Sequence, residues 1–169
     1  MIIIKTSLLI LIFLCCLYIG ILISKKYSNR EKELIEVQNS LNMLEAKIKF
    51  TYEPLQDIFS EISKTLNNNI GAIFEKAQKH INTLGAGQAW NKAIDESNTN
   101  LIEEDKTMLK NLGRLIGKTD IDGQISEIEL LKGLVENQTE KAKKEREKNE
   151  KMYKTLGGII GMAIVIIIM

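Results

Sequence analysis

Residues 140–169 read EKAKKEREKNEKMYKTLGGIIGMAIVIIIM, and this stretch decides the fold. Its first half is almost entirely charged and polar, whereas the part from Leu156 onward carries no charged side chain. No proline separates the halves, so one helix can run through both. At a helical rise of about 1.5 Å per residue, the apolar part covers about 21 Å, less than the usual hydrocarbon core of about 30 Å. We predict that residues 155–169 are a short C-terminal transmembrane segment, entered by a charged helix.

Two glycines of this segment, Gly157 and Gly161, have the G-x-x-x-G spacing. Glycines at this spacing lie on one side of a helix and allow another helix to approach closely. The same spacing is also common by chance in membrane helices. The sequence therefore leaves both a packing face and an incidental repeat open.

A second apolar run, residues 7–23, lies near the N-terminus. About 20 apolar residues cross a bilayer, whereas a cleaved signal peptide usually has an apolar core of about 7–15 residues. The run leads into Ser24-Lys25-Lys26 without an A-x-A-like cleavage site, so we predict a retained anchor over residues 1–24. Cys15 and Cys16 are adjacent within it, and adjacent residues point in different directions on a helix. They indicate neither a disulfide framework nor a metal site.

Basic side chains flank both apolar segments on the side that faces the middle of the chain, and only Lys5 lies outside the first segment. Basic residues beside membrane segments stay cytoplasmic. Both segments therefore predict that residues 25–154 are a cytoplasmic helical domain and that the two termini lie across the membrane. The flanking residues are Lys25, Lys26, Arg30, Lys32, Lys141, Lys143, Lys144, Arg146, Lys148, Lys151 and Lys154.

The middle of the chain has apolar residues at helical spacing and few alternating β-branched runs. We predict an all-α protein, in which a cytoplasmic helical bundle of about six helices lies between N- and C-terminal transmembrane helices. Ser28 with Glu31 can form a capping box where the first cytoplasmic helix begins. Thr119 or Asp120 can cap the last helix, which continues as a charged stalk toward the membrane.

The first cytoplasmic helix carries a repeat with alternating steps of three and four residues. This pattern is typical of a coiled-coil seam and also of a core stripe in a bundle, and both alternatives stay open. The residues of the repeat are Leu34, Val37, Leu41, Leu44 and Ile48.

Three further residues are predicted to shape the bundle. Trp90, the single tryptophan, is expected to anchor the core, because large aromatic side chains stabilise mainly through burial. Gly113 lies inside a predicted helix and suggests the close approach of another backbone. Gly117 is expected to end that helix.

The sequence contains no pattern typical of an enzyme. It has neither a phosphate-binding loop nor a histidine–cysteine cluster, and the single histidine, His80, is expected to be a solvated helix residue. Lys plus Arg number 23 and Asp plus Glu number 22, so the basic excess typical of nucleic-acid binding is lacking. We predict a non-enzymatic protein without cofactor, metal ion or nucleic-acid partner.

Taken in order, several short groups of residues resemble the stage III sporulation protein AB family of endospore-forming Firmicutes. The resemblance spans essentially the whole chain. The residues that carry it are Lys26-Tyr27-Ser28 with Arg30, then Gly87, Ala89-Trp90 and Ala93, then Leu112-Gly113, Ile116-Gly117, Thr119-Asp120 and Gln124, and finally residues 149–153 with Leu156-Gly157.

This resemblance implies a component of the channel between mother cell and forespore, in the mother-cell membrane around the forespore. It implies a helical domain similar to the platform protein of type II secretion and type IV pilus systems. The expected partners are a sporulation ATPase of the secretion type and other channel proteins. A homo-oligomer and a coiled-coil tether or scaffold unrelated to sporulation stay open. Charged residues at which a partner could bind are Glu103, Glu104, Lys143, Lys144 and Arg146.

Overall fold

The computed structural model describes residues 2–51, 53–66, 68–118 and 120–168, with side chains from Ser7 onward. These residues form helices and connecting turns without any strand, which confirms the all-α fold. The helices are α1 (Ile2–Phe50), α2 (Leu55–Leu66), α3 (Asn69–Leu84), α4 (Ala86–Glu96), α5 (Glu103–Asn111) and α6 (Ile121–Ile168), and a short 3-10 turn spans Leu112–Arg114.

The chain divides into two compact units. The membrane unit consists of the chain up to Glu31 together with the chain from Lys141 onward, and the bundle unit is residues 32–140. The boundaries predicted at residues 24/25 and 154/155 mark entry into a membrane, and they stay predictions.

Helix α1 does not begin at Ser28. Ser28 and Glu31 lie inside a helix that runs from Ile2 to Phe50, so the predicted capping box is wrong. The physical reason is that residues 21–50 contain neither glycine nor proline. Each backbone N–H after the apolar segment therefore finds a carbonyl in the preceding turn and requires no side-chain cap.

The bundle unit is built on the apolar repeat of α1. Leu34 and Leu44 are fully buried, and the other three residues of the repeat are at most 6% exposed. The side chains that fill the core beside them come from α2, α3, α4 and α5. The repeat is therefore a core stripe of this chain, and the coiled-coil alternative is excluded for it.

The helix ends follow the turn chemistry of the sequence. Pro54 directly precedes α2, and its carbonyl accepts the N–H of Ile58. Gly85 ends α3 with a φ of +76°, a conformation that favours glycine because no Cβ is present. The Asp120 side chain accepts the Gly123 N–H at 3.0 Å, which confirms Asp120 as the cap of α6. Thr119, the alternative cap, lies outside the described residues.

The predicted helix between residues 101 and 116 is shorter in the structure. Helix α5 ends at Asn111, and a 3-10 turn and a further turn follow it. Gly117 has a φ of +73° and lies in that further turn, beyond the last helical residue. A glycine with this φ ends the segment as predicted, although the helix itself stops earlier.

Candidate functional site

The apolar parts of α1 and α6 are in contact along a line of small residues. A Cβ atom added to Gly157 would lie 2.9 Å from the carbonyl oxygen of Cys16, and one added to Gly161 would lie 3.1 Å from the Cys16 Cβ. A Cβ atom added to Gly20 would lie 2.7 Å from the Tyr153 carbonyl oxygen. The structure therefore confirms Gly157 and Gly161 as a packing face and shows that its partner is the first apolar helix. Gly20 was missed, although a glycine within an apolar helix is itself a signal of close packing.

Just beyond the apolar segments, two tyrosines continue this contact. The rings of Tyr27 and Tyr153 stack with centroids 5.8 Å apart and an interplanar angle of 16°. The hydrogen bond between their side chains is the main cause that raises the pKa of Tyr27 above 10.0, and burial adds to it. Tyrosine suits this position because its ring is apolar and its hydroxyl is polar, as in the aromatic belts of membrane proteins.

Two ion pairs then join the charged part of α6 to α1. The Arg30 guanidinium donates to Glu145 at 2.6 Å, and the Arg30 side chain is only 5% exposed. The Nε of Arg146 lies 2.9 Å from a carboxylate oxygen of Glu31. Ala142 is also buried. Arg146, which the sequence predicted as a residue where a partner could bind, is therefore a structural partner of α1.

Both terminal segments are long and apolar enough to cross a membrane. Their most apolar windows are only 17% and 6% buried within the chain, unlike the core helices of a water-soluble protein. Large aliphatic side chains cover their outer surfaces, such as Ile10 (61% exposed) and Ile159 (59%). Contiguous apolar surface of this extent is typical of a membrane or protein contact.

In the bundle unit, Trp90 lies at the centre of an aromatic cluster. Its ring centroid is 5.9 Å from that of Phe59 and 5.1 Å from that of Phe74. Its Nε1–H donates to the Leu109 carbonyl at 2.8 Å, so the buried polar atom is satisfied. The side chain is 2% exposed. The prediction of a core anchor is confirmed.

Gly113 meets the backbone of α4. A Cβ atom added to it would lie 2.7 Å from the Gly87 carbonyl oxygen, and one added to Gly87 would lie 2.0 Å from the Gly113 carbonyl oxygen. Any larger residue would force the two segments apart. This confirms the predicted close approach, although Gly113 lies in the 3-10 turn and not inside an α-helix.

A buried carboxylate ties three segments of the bundle together. Glu33 of α1 accepts hydrogen bonds from the Asn69 amide at 2.9 Å and from the Asn100 backbone and side chain at 2.6 and 2.8 Å. Glu33 is 5% exposed. One turn away, burial is the main cause that raises the pKa of Glu36 above 4.5, and the Glu33 carboxylate adds to it. No local pattern indicates the role of Glu33, because its partners are 36 and 67 residues away in the chain.

The other predicted partner residues have different surroundings. Glu103 is exposed and pairs with Lys106 at 3.0 Å. Glu104 accepts a hydrogen bond from Gln138 at 2.6 Å, which joins α5 to α6. Lys143 and Lys144 are exposed on α6. The two acidic residues belong to the bundle unit, and the two lysines belong to the membrane unit.

No candidate metal centre is found within the described ranges. They contain no group of three histidine, cysteine or acidic side chains that could hold a metal ion. His80 is partly exposed and lies 3.1 Å from Glu96, whose pKa is lowered mainly by that hydrogen bond. Among the buried polar side chains of the bundle unit, Glu33 and Gln138 join different helices, whereas Ser40 and Ser97 donate to carbonyls of their own helices.

The comparison with protein families decides which family this architecture represents. The profile described as Stage III sporulation protein AB matches residues 5–169. The chain belongs to the stage III sporulation protein AB family. The match includes both apolar segments as well as the bundle.

Individual members of the family agree with this placement. Stage III sporulation protein AB of Bacillus subtilis (strain 168) is 25% identical over 154 residues, which cover 89% of this chain and 90% of the relative. A solved structure of Stage III sporulation protein AB (SpoIIIAB) is similar with a TM-score of 0.63 and 22% identity. The similarity covers 70% of this chain and 96% of the solved chain, and it shows a shared fold. The chain is therefore a sporulation protein of stage III.

Proposed function

We propose that this chain is a non-enzymatic membrane platform of the channel between mother cell and forespore. Its apolar helices anchor it in the mother-cell membrane around the forespore, and its bundle unit faces the cytoplasm. There the bundle docks a secretion-type ATPase and other channel proteins. The observation that carries the proposal is the paired α1 and α6 segments, whose inner flanks are both basic and therefore favour the cytoplasmic side.

The docking surface that we favour lies on α6 of the bundle unit. Leu130 is 62% exposed and Leu134 is 42% exposed, and the two leucines are one turn apart. With the neighbouring Arg114 they line a cavity of about 210 Å³. An arginine beside exposed apolar side chains is typical of protein contact sites. This surface replaces the predicted Glu103 and Glu104, since both already interact within the chain.

A deletion of the gene in the sporulating host tests the sporulation role. We expect development to stop after engulfment, because the channel would lack its platform. Spore counts and fluorescence microscopy of the engulfed forespore provide the measurement. Normal numbers of heat-resistant spores would contradict the proposal.

The docking surface is tested by L130E/L134E in the full-length chain. We expect this variant to lose co-purification with the host's secretion-type ATPase, because two charges would enter an apolar contact. L84E is the matched control, since Leu84 is 37% exposed and lies on α3, away from the cavity. Equal retention of the ATPase by both variants would exclude Leu130 and Leu134 as the contact.

A coiled-coil tether is the competing function, and the burial of the α1 repeat argues against it. The repeat from Leu34 to Ile48 is covered by helices of the same chain. A parallel homodimer through this seam would require the bundle to open and expose its core. The platform therefore agrees better with the packing of the bundle.

A further inference from the structure

Where the charged part of α6 meets the apolar part, one face of the helix bounds a shallow groove that is wide open to its surroundings. Charged residues line its upper end, and apolar residues line the end that continues into the membrane segment. Lys148, Met152 and Leu156 follow one another at intervals of four residues, so they lie in a row along one helix face. The lining residues are Glu147, Lys148, Lys151, Met152, Thr155 and Leu156.

Within the part of the chain that the structure describes, neither Lys148 nor Lys151 has a carboxylate within 4.0 Å. The nearby carboxylates pair with other cations: Glu145 with Arg30 at 2.6 Å, Glu31 with Arg146 at 2.9 Å, Glu150 with Lys154 at 2.7 Å, and Glu147 with Arg146 at 4.0 Å. The groove therefore carries a net positive charge at its upper end.

On α1, the exposed Lys25 and Lys26 follow the first apolar segment directly. They belong to the same compact unit as the groove. Clusters of lysines immediately cytoplasmic of membrane helices attract anionic lipids, because each lysine near the surface interacts with the negative potential of the leaflet. The membrane unit thus presents basic side chains from both of its helices.

The position of the groove along the helix matches the headgroup region. Lys151 and Lys148 precede Leu156 by about 8 and 12 Å along the helix axis, calculated at the helical rise. Lysine side chains bend along their helix so that the ammonium group reaches the interface. Below Leu156, the exposed Ile159 and Ile160 continue the apolar surface. One ligand can therefore contact both the ammonium groups and the aliphatic side chains.

We propose that this groove binds an anionic phospholipid of the cytoplasmic leaflet. Its phosphate lies between the ammonium groups of Lys148 and Lys151, and one acyl chain runs along Met152 and Leu156. An acidic protein segment would satisfy the lysines but not the apolar half of the groove, which continues into the membrane segment. The proposal rests on the membrane placement of α6 and is independent of ATPase docking.

The test uses the full-length chain in dodecyl maltoside micelles and a phosphatidylglycerol with a fluorophore on one acyl chain. Fluorescence anisotropy reports binding. Unlabelled dioleoyl phosphatidylglycerol, dioleoyl phosphatidylcholine and inorganic phosphate are the competitors. We expect phosphatidylglycerol to compete at least tenfold better than phosphatidylcholine, and inorganic phosphate not to compete at the same concentration, since it lacks the acyl chains.

K148Q/K151Q should weaken phosphatidylglycerol binding by roughly 10–30-fold, from the attraction expected for two lysines near an anionic surface. K143Q/K144Q is the matched control, because it removes the same charge from exposed positions of α6 roughly 18 Å from Leu156. This control should bind within about twofold of the unchanged chain. Circular dichroism confirms that both variants remain helical.

Three results would overturn the proposal. Equal losses in K148Q/K151Q and K143Q/K144Q would indicate general attraction to charge without a site. Competition by inorganic phosphate at the concentration of the lipid would indicate a site for a free anion. Unchanged lipid binding in K148Q/K151Q would show that these two lysines do not hold the lipid.

Discussion

Whether a single side chain of this protein is buried depends on the groups that surround it in the fold. Trp90 was predictable, because a lone large aromatic side chain at helical spacing in a small bundle is normally buried. The burial of Glu33 and the partial burial of Glu36 were not predictable, because a glutamate in a charged segment usually remains in solvent. The fold places Glu33 beside Asn69 and Asn100 and leaves Glu36 partly buried next to it.

At the residue scale, we predict that E36Q stabilises the protein at pH 7. Burial and Glu33 raise the pKa of Glu36 in the folded state above 4.5, so its negative charge destabilises that state at neutral pH. Glutamine removes the charge and keeps an oxygen that can accept a hydrogen bond. As the pH falls through the raised pKa and below 4.5, Glu36 becomes protonated in both states and the advantage of E36Q disappears. Thermal melting of the full-length chain in detergent measures this.

E75Q provides the control of opposite sign. The hydrogen bond from Lys79 lowers the pKa of Glu75, so its ionised form stabilises the folded state above pH 4.5. E75Q should therefore lower the melting temperature slightly at pH 7 or leave it unchanged. A melting temperature of E36Q below that of the unchanged chain at pH 7 would show that its charge is not destabilising.

At the scale of elements, the helix pair of the membrane unit depends on which glycine faces the neighbouring helix. Gly157 and Gly158 are adjacent in sequence and chemically identical. A Cβ atom on Gly157 would collide with the Cys16 carbonyl, whereas one on Gly158 would lie 3.7 Å from the Leu17 side chain, an ordinary contact. The direction of each residue around the helix decides its role.

We predict that G157V separates the two helices and destabilises the protein by about 1–3 kcal/mol, the usual cost of overpacking. G158V should have an effect below about 1 kcal/mol, since the space at Gly158 is open. Unfolding of the full-length chain by denaturant in detergent micelles, followed by circular dichroism, compares the two. Equal losses in both variants would attribute the effect to helix propensity and exclude the close contact at Gly157.

At the scale of the whole molecule, the two apolar segments act together. Each one alone predicts a membrane anchor, and the basic residues on their inner sides predict the same orientation for both. The structure adds that the two segments contact each other through Gly20, Gly157 and Gly161.

This orientation predicts the accessibility of cysteines in single-cysteine variants of C15A/C16A. K92C, on an exposed position of α4, should react with a membrane-impermeant maleimide only after the protoplasts are lysed. I2C should react in intact protoplasts of vegetative cells that express the protein in the cell membrane, because the N-terminus is predicted to lie outside the cytoplasm. Labelling of K92C at the same rate in intact and lysed protoplasts would reverse the predicted topology.

The sequence by itself determined the helical class, the two apolar ends and the apolar repeat on α1, and it indicated Asp120 as one of two candidate caps. These features depend on periodicity, composition and local turn chemistry, which act between residues close in sequence. Local patterns failed at Ser28, where a good capping motif lies inside a continuous helix. A cap is needed only where a helix begins, and the chain continues helically through that position.

Only the tertiary structure decided which surfaces remain free. In the folded chain Arg146 pairs with Glu31, and Glu104 accepts a hydrogen bond from Gln138. Leu130 and Leu134, by contrast, remain exposed. The tertiary structure also paired Gly157 with a helix that lies more than a hundred residues earlier in the chain. The physical reason is that contacts between residues far apart in the sequence form only when whole helices pack. Helix packing depends on steric fit and on burial at the same time. A single sequence does not show which distant residue will contact a given side chain.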